Sequence, residues 1–173
     1  IVVFINENFT YIEDVDALSD WCKAQEEVLE VAIDTEFERH STYYPELCLV
    51  QLATAKSIAL VDPIRCKDTT PLAAFLNTGS RIKVLHAARQ DLEVMDLIGV
   101  NLGSSFVDTQ LAAALVGEDE QIGYGELVKK LARIELDKKQ QRANWKRRPL
   151  PEKQLDYAVS DVLYLLPVFH KLK

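Results

Sequence analysis

Three apolar runs rich in β-branched residues follow one another with short connections: "VLEVAID" (28–34), "ELCLVQLAT" (46–54) and "KSIALVDPI" (56–64). Parallel neighbours need a long crossover, so strands joined this closely read as an antiparallel meander, with a turn at Thr54 to Lys56. The pattern then changes to alternation. "RIKVLHAA" is a strand, "RQDLEVMDLIG" a helix stopping at glycine, and "SSFVDTQLAAALVG" a strand running directly into a helix. Ahead of the meander, "FTYI" reads as a short strand and "EDVDALSDWCKAQ" as a helix, because Val15, Leu18, Trp21 and Cys22 recur at helical spacing. "TTPLAAFLNTG", "GYGELVKKLAR" and "LPEKQLDYAVSDVLYLLPVFHKLK" complete the helices, the last expected to kink or end at Pro167. This order predicts a single α/β domain, a mixed sheet with helices packed around it.

Within this frame, "EVAIDTEFER" (30–39) ends an apolar strand on Asp34 and Glu36. Side chains two apart on a strand share a face, so these two carboxylates repel and lose solvation together. Surface acids at a strand end account for such a pair, and so does a divalent cation between them, since hard oxygen ligands suit Mg²⁺ or Mn²⁺. Asp91, in "HAARQDLEV", falls near the start of a helix after a strand, where α/β ligand sites gather. A first-turn acid favoured by the helix dipole is the plainer explanation for it alone. Tyr157 and Asp161, in "YAVSD", are four apart on one helix face, beside a core stripe that includes Val159 and Val162.

Taken in order, "DTE", "HxxxxD" and "YxxxD" resemble the three motifs of the DEDD superfamily of 3′–5′ exonucleases, in the branch with tyrosine in the third motif. "IDTEFERHSTYYPELCLVQLA", "VDTQLAAAL" and "RANWKRRPLPEKQLDYAVSDVLYLLP" extend the likeness from about residue 10 to the end. The resemblance implies a ribonuclease H-like fold, a mixed five-stranded sheet flanked by helices. It implies that Asp34, Glu36, Asp91 and Asp161 hold two divalent metal ions, Mg²⁺ or Mn²⁺. Asp34 would bridge both, Glu36 and Asp161 would complete the nucleophile-side ion, and Asp91 would serve the second. Tyr157 is a poor base, an ordinary phenol titrating near ~10, and is expected to aim the attacking water. The implied activity is release of nucleoside 5′-monophosphates from RNA 3′ ends, tRNA precursors above all. The alternatives are a DNA exonuclease, whose proofreading members carry histidine in the third motif, and a non-catalytic RNA-binding module, which would lose acids.

The formal charge of −7 argues against nucleic-acid binding by bulk electrostatics and leaves local binding open. The chain turns basic only in "DKKQQRANWKRR", where Lys and Arg flank Trp145. Positive charges track phosphates and an aromatic stacks on a base, so Arg142, Trp145 and Arg148 are expected substrate contacts beside the ordinary reading of a solvated loop. Tyr44, in a loop near the first motif, and Gln51 are further candidates. His86 reads as a satisfied core histidine, Asp108 as a helix N-cap and Phe37 as core.

Three separated cysteines fit neither a disulfide framework nor zinc spacing, and suggest a reducing cytoplasm. No apolar run approaches the ~20 residues of a membrane span. The start has no signal-peptide pattern and no Met, as expected of a piece of a longer protein. Residues 1–173 are expected to form the exonuclease domain as a monomer with no obligate protein partner, without the helical RNA-binding domains that follow it in the family.

Overall fold

The computed structural model describes residues 8–39, 44–103, 105–137, 139–141 and 143–173. Six strands form one mixed sheet in the order β1-β4-β3-β2-β5-β6. The meander is β2 (Glu30–Glu38), β3 (Glu46–Ala53) and β4 (Ile58–Val61), with β2–β3 and β3–β4 antiparallel. β5 (Ile82–Leu85) then pairs parallel to β2, and β6 (Phe106–Asp108) parallel to β5. The expectation of five strands is corrected here. β1 (Phe9–Ile12) joins the sheet as a sixth, parallel to β4, because its backbone finds a full register from Phe9↔Ile58 to Ile12↔Val61.

Both faces of the sheet are covered, which is why its strands read as near-continuous apolar runs. Val31, Ile33, Val50, Leu52, Ala59 and Val61 pack on one face with α1 (Val15–Ala24), α2 (Thr70–Leu76) and α3 (Arg89–Asp96). Ala32, Leu49, Leu60 and Val84 pack on the other with α6 (Glu152–Leu163) and α7 (Leu165–Leu172). α4 (Thr109–Leu115) and α5 (Tyr124–Ala132) lie against α7 and bury a third cluster around Leu127 and Val168.

The last helix breaks at Tyr164 rather than at Pro167. In an unbroken helix the Ser160 carbonyl would accept from the Tyr164 amide. Here the Tyr124 hydroxyl donates to Ser160 O at 3.0 Å and accepts from the Tyr164 backbone, so a side chain stands inside the helical ladder. Pro167 sits in the first turn of α7, where its missing N–H costs nothing. No helix among the described residues is long and apolar enough to cross a membrane.

Candidate active site

The β2–β5 ladder stops at Ala32↔Val84, so the second half of β2 has an open side beyond the end of β5. On that half, Asp34 and Glu36 share the face of Ala32 and look toward α6, while Thr35 is buried on the opposite face. The β2–β3 register shifts between Glu36 and Phe37, a bulge of the kind that re-aims side chains beside active sites. From α6, one turn of helix brings Asp161 and Tyr157 to the same place. Ligating oxygens of Asp34, Glu36 and Asp161 lie within 4.8 Å of one another.

Asp91 stands apart from this trio. It lies in the first turn of α3, and its Oδ1 accepts from the Thr35 hydroxyl at 2.5 Å. It is near enough that its charge helps raise both Asp34 and Glu36. The turn that delivers it carries Ala87 at φ 54°, a left-handed conformation costly for a residue with a Cβ. Asp108 holds that turn. Its carboxylate accepts from the backbone N–H groups of Ala87 and Ala88, each at 2.9 Å, while also capping α4 through Gln110 N–H at 2.9 Å. Asp108 is therefore the expected N-cap and the brace under Asp91 as well. His86 is satisfied by Thr109 and the Ile122 carbonyl, as a core histidine should be. Phe37 packs at the edge of the first cluster.

Crowding shows in the acidities. Burial first, then the charges of Asp161 and Asp91, drives Asp34 well above the usual carboxylate range. Burial and the charges of Asp34 and Asp91 push Glu36 up to about 9. Burial and Glu36 raise Asp161 strongly against a hydrogen bond from Tyr157, and burial lifts Asp91 to about 6. The Tyr157 phenol is raised too, by burial and then by Asp161, Glu36 and Asp34, which leaves it a hydrogen-bond donor rather than a base. Among the described residues, none of the four carboxylates forms an ion pair. Asp161 Oδ2 is buried with no hydrogen-bond partner among the described residues. Hard oxygen donors at this spacing, with an orphaned lone pair and no protein countercharge, fit a divalent cation.

Three of the expected substrate contacts lie inside the protein. Trp145 is 2% exposed, its ring 6.0 Å from that of Tyr157, so it backs the tyrosine and offers a base no open face here. Arg148 spends its guanidinium inside the protein, on both oxygens of Asp62 (2.5 and 2.8 Å) and on the carbonyls of Cys48, Trp145 and Arg147. Gln51 is wholly buried on β3. Tyr44 is exposed beside the start of β3, and Arg142 lies outside the described residues. A groove of 580 Å³ does open beside the trio, lined by Glu36, Phe37, Arg39, Gln141, Asn144 and the edge of Trp145. Tyr124 also stands in the field of the site: the charges of Asp161 and Asp34 both reach it, yet it follows Gly123 at a helix start with no pattern in the sequence to single it out.

Residues 9–173 match the 3′–5′ exonuclease domain family. The chain is 41% identical to ribonuclease D of Escherichia coli over 165 residues, covering 95% of this chain and 44% of that protein. To the Haemophilus influenzae ribonuclease D it is 37% identical, over 96% of this chain and 42% of the relative. The crystal structure of E. coli RNase D, described as an exoribonuclease involved in structured RNA processing, superposes with a TM-score of 0.92 at 41% identity over 95% of this chain and 44% of that one. The catalytic core of RRP6 from Trypanosoma brucei, at 24% identity, shares the fold with a TM-score of 0.90 over 99% of this chain and 47% of that one. The chain thus spans less than half the length of the ribonuclease D relatives it matches.

Proposed function

The chain belongs to the 3′–5′ exonuclease family, and from that membership we propose that it is the catalytic domain of a metal-dependent 3′–5′ exoribonuclease. It removes nucleoside 5′-monophosphates from RNA, with tRNA 3′ ends among its substrates. The observation that carries this reading is the convergence of Asp34, Glu36 and Asp161 within 4.8 Å, from a strand and a distant helix, beside Tyr157.

Asp34, Glu36 and Asp161 are the residues that would hold one divalent cation, with Asp34 and Asp91 serving a second. When bound, Mg²⁺ or Mn²⁺ supplies an activated water and charge stabilisation at the leaving oxygen. The protein's own part is positioning. The Tyr157 hydroxyl, anchored on Asp161 and backed by Trp145, orients the attacking water by a hydrogen bond while remaining protonated. The groove beside Glu36 receives the strand end.

The test is a time course on single-stranded RNA labelled at its 5′ end, with a DNA strand of the same sequence in parallel. Stepwise shortening from the 3′ end in Mg²⁺ or Mn²⁺, abolished by EDTA and by Asp34→Ala, is expected. Cleavage that persists in EDTA defeats the metal reading. Faster shortening of the DNA strand would reassign the substrate.

A further inference from the structure

Gln51 sits on β3 directly opposite Asp34. Residues opposite one another in an antiparallel ladder project from the same face, with Cβ atoms about 4.5–5.5 Å apart. The side chain is wholly inaccessible to solvent, and neither Nε2 nor Oε1 has a hydrogen-bond partner among the described residues. A buried amide left with both of its groups unpaired is costly to the fold, which makes a partner that engages it in the working state a reasonable expectation.

The register leaves few partners. The other cross-strand neighbour of Gln51 is Leu60, and its same-face neighbours along β3 are Leu49 and Ala53. All three belong to the apolar layer beneath α6, together with Ala158 and Val162. Asp34 is the polar side chain that the ladder places directly opposite this amide, with Glu36 on the same face one pair along. An amide suits such a neighbour in either protonation state, because a half-turn of its terminal torsion offers Nε2–H to a carboxylate or Oε1 to a carboxyl proton.

Resting on the metal-binding reading above, we propose that Gln51 is a positioning residue whose Nε2, unpaired in the cation-free fold, turns to donate to the Asp34 carboxylate when a cation is held there and fixes which oxygen faces it. Hydrogen bonds behind a metal ligand hold its orientation, and losing one lowers metal affinity about 10- to 100-fold. Gln51 itself touches neither substrate nor ion.

The experiment compares Gln51→Met and Gln51→Leu with the unaltered chain. Mn²⁺ affinity is measured by calorimetry, thermal unfolding in EDTA, and kcat and KM on a short RNA. Met is unbranched and close to Gln in volume, so it carries the test if Leu disturbs packing. Expected are unfolding in EDTA at or above the original temperature, Mn²⁺ affinity weakened about tenfold or more, and a fall in kcat with KM unchanged. Unchanged Mn²⁺ affinity in a folded Gln51→Met overturns the proposal, whatever its thermal stability. Asp34→Asn is the separating control. If it loses Mn²⁺ while Gln51→Met keeps it, the metal site stands and only the role of Gln51 falls. If Asp34→Asn binds as tightly as the unaltered chain, both fall.

Discussion

The Thr35 hydroxyl donates to Asp91 Oδ1 at 2.5 Å from the face of β2 opposite to Asp34 and Glu36. Three consecutive residues of one strand therefore serve one acidic centre from two sides. Asp34 and Glu36 meet Asp161 in front, and Thr35 steadies Asp91 from behind.

Thr35→Val keeps the shape of the side chain and removes that donor. Stability should fall by about 1 kcal/mol, the worth of an ordinary hydrogen bond. Turnover should fall further, because a misplacement of roughly 1 Å at a reacting centre costs on the order of 10²-fold. Thermal unfolding and single-turnover rates on the same preparation separate the two effects. Equal and small losses in both would leave Thr35 a packing residue.

Tyr157→Phe should bind Mn²⁺ as tightly as the unaltered chain and turn over about 10²-fold more slowly, since only the hydroxyl proposed to aim the water is lost. Its pH–rate profile should show no lost basic limb, because the phenol is held protonated by burial and by the neighbouring acids. Calorimetry and a pH series check the two halves independently.

The acidic centre makes the cation-free protein sensitive to rising pH. Glu36 titrates near 9 in the fold, against about 4.3 in an unfolded chain, so the folded state holds the extra proton between those values. The contribution of Glu36 to stability is then full below about 4.3 and declines as pH rises toward 9. Replacing Asp34 by Asn removes one of the charges that raises Glu36, so Asp34→Asn should melt higher than the unaltered chain in EDTA at pH 8 while losing the proposed exonuclease activity. Equal melting temperatures at pH 8 would contradict the repulsion.

Arg148→Ala should act on the fold. Asp62 is wholly buried and Arg148 nearly so, and removing one partner of a buried ion pair costs about 3–5 kcal/mol. RNA affinity per folded molecule should hold. The same pair sets an acid limit. Burial alone would raise the Asp62 carboxyl, but hydrogen bonds from Arg148 and Tyr11 outweigh it and hold it below its ordinary range. That contribution is complete above the unfolded value near 3.9 and is lost as pH falls through the lower folded one. A urea titration at pH 7 and pH 3 measures it.

Much was legible in the residues alone, for local reasons. Period-two alternation put Asp34 and Glu36 on one face, and helical spacing put Tyr157 and Asp161 on another, because these geometries belong to the strand and the helix themselves. The meander followed from connection length, and the capping role of Asp108 from its place before Thr109. What the residues could not show was which of them would be enclosed. "WKRR" has the composition of a nucleic-acid strap, yet Glu38 accepts from the Trp145 N–H at 2.9 Å and Asp62 receives Arg148 from across the sheet, turning both inward. Likewise, nothing near Gly123 announces that the Tyr124 hydroxyl will stand inside the ladder of α6, nor does "LVQLA" say that its Gln will face Asp34. Burial and partnership between residues 86 or 107 positions apart are properties of packing. A side chain's chemistry is set by its sequence, but whether water, a phosphate or an interior carboxylate receives it is decided only when the sheet and α6 close over it.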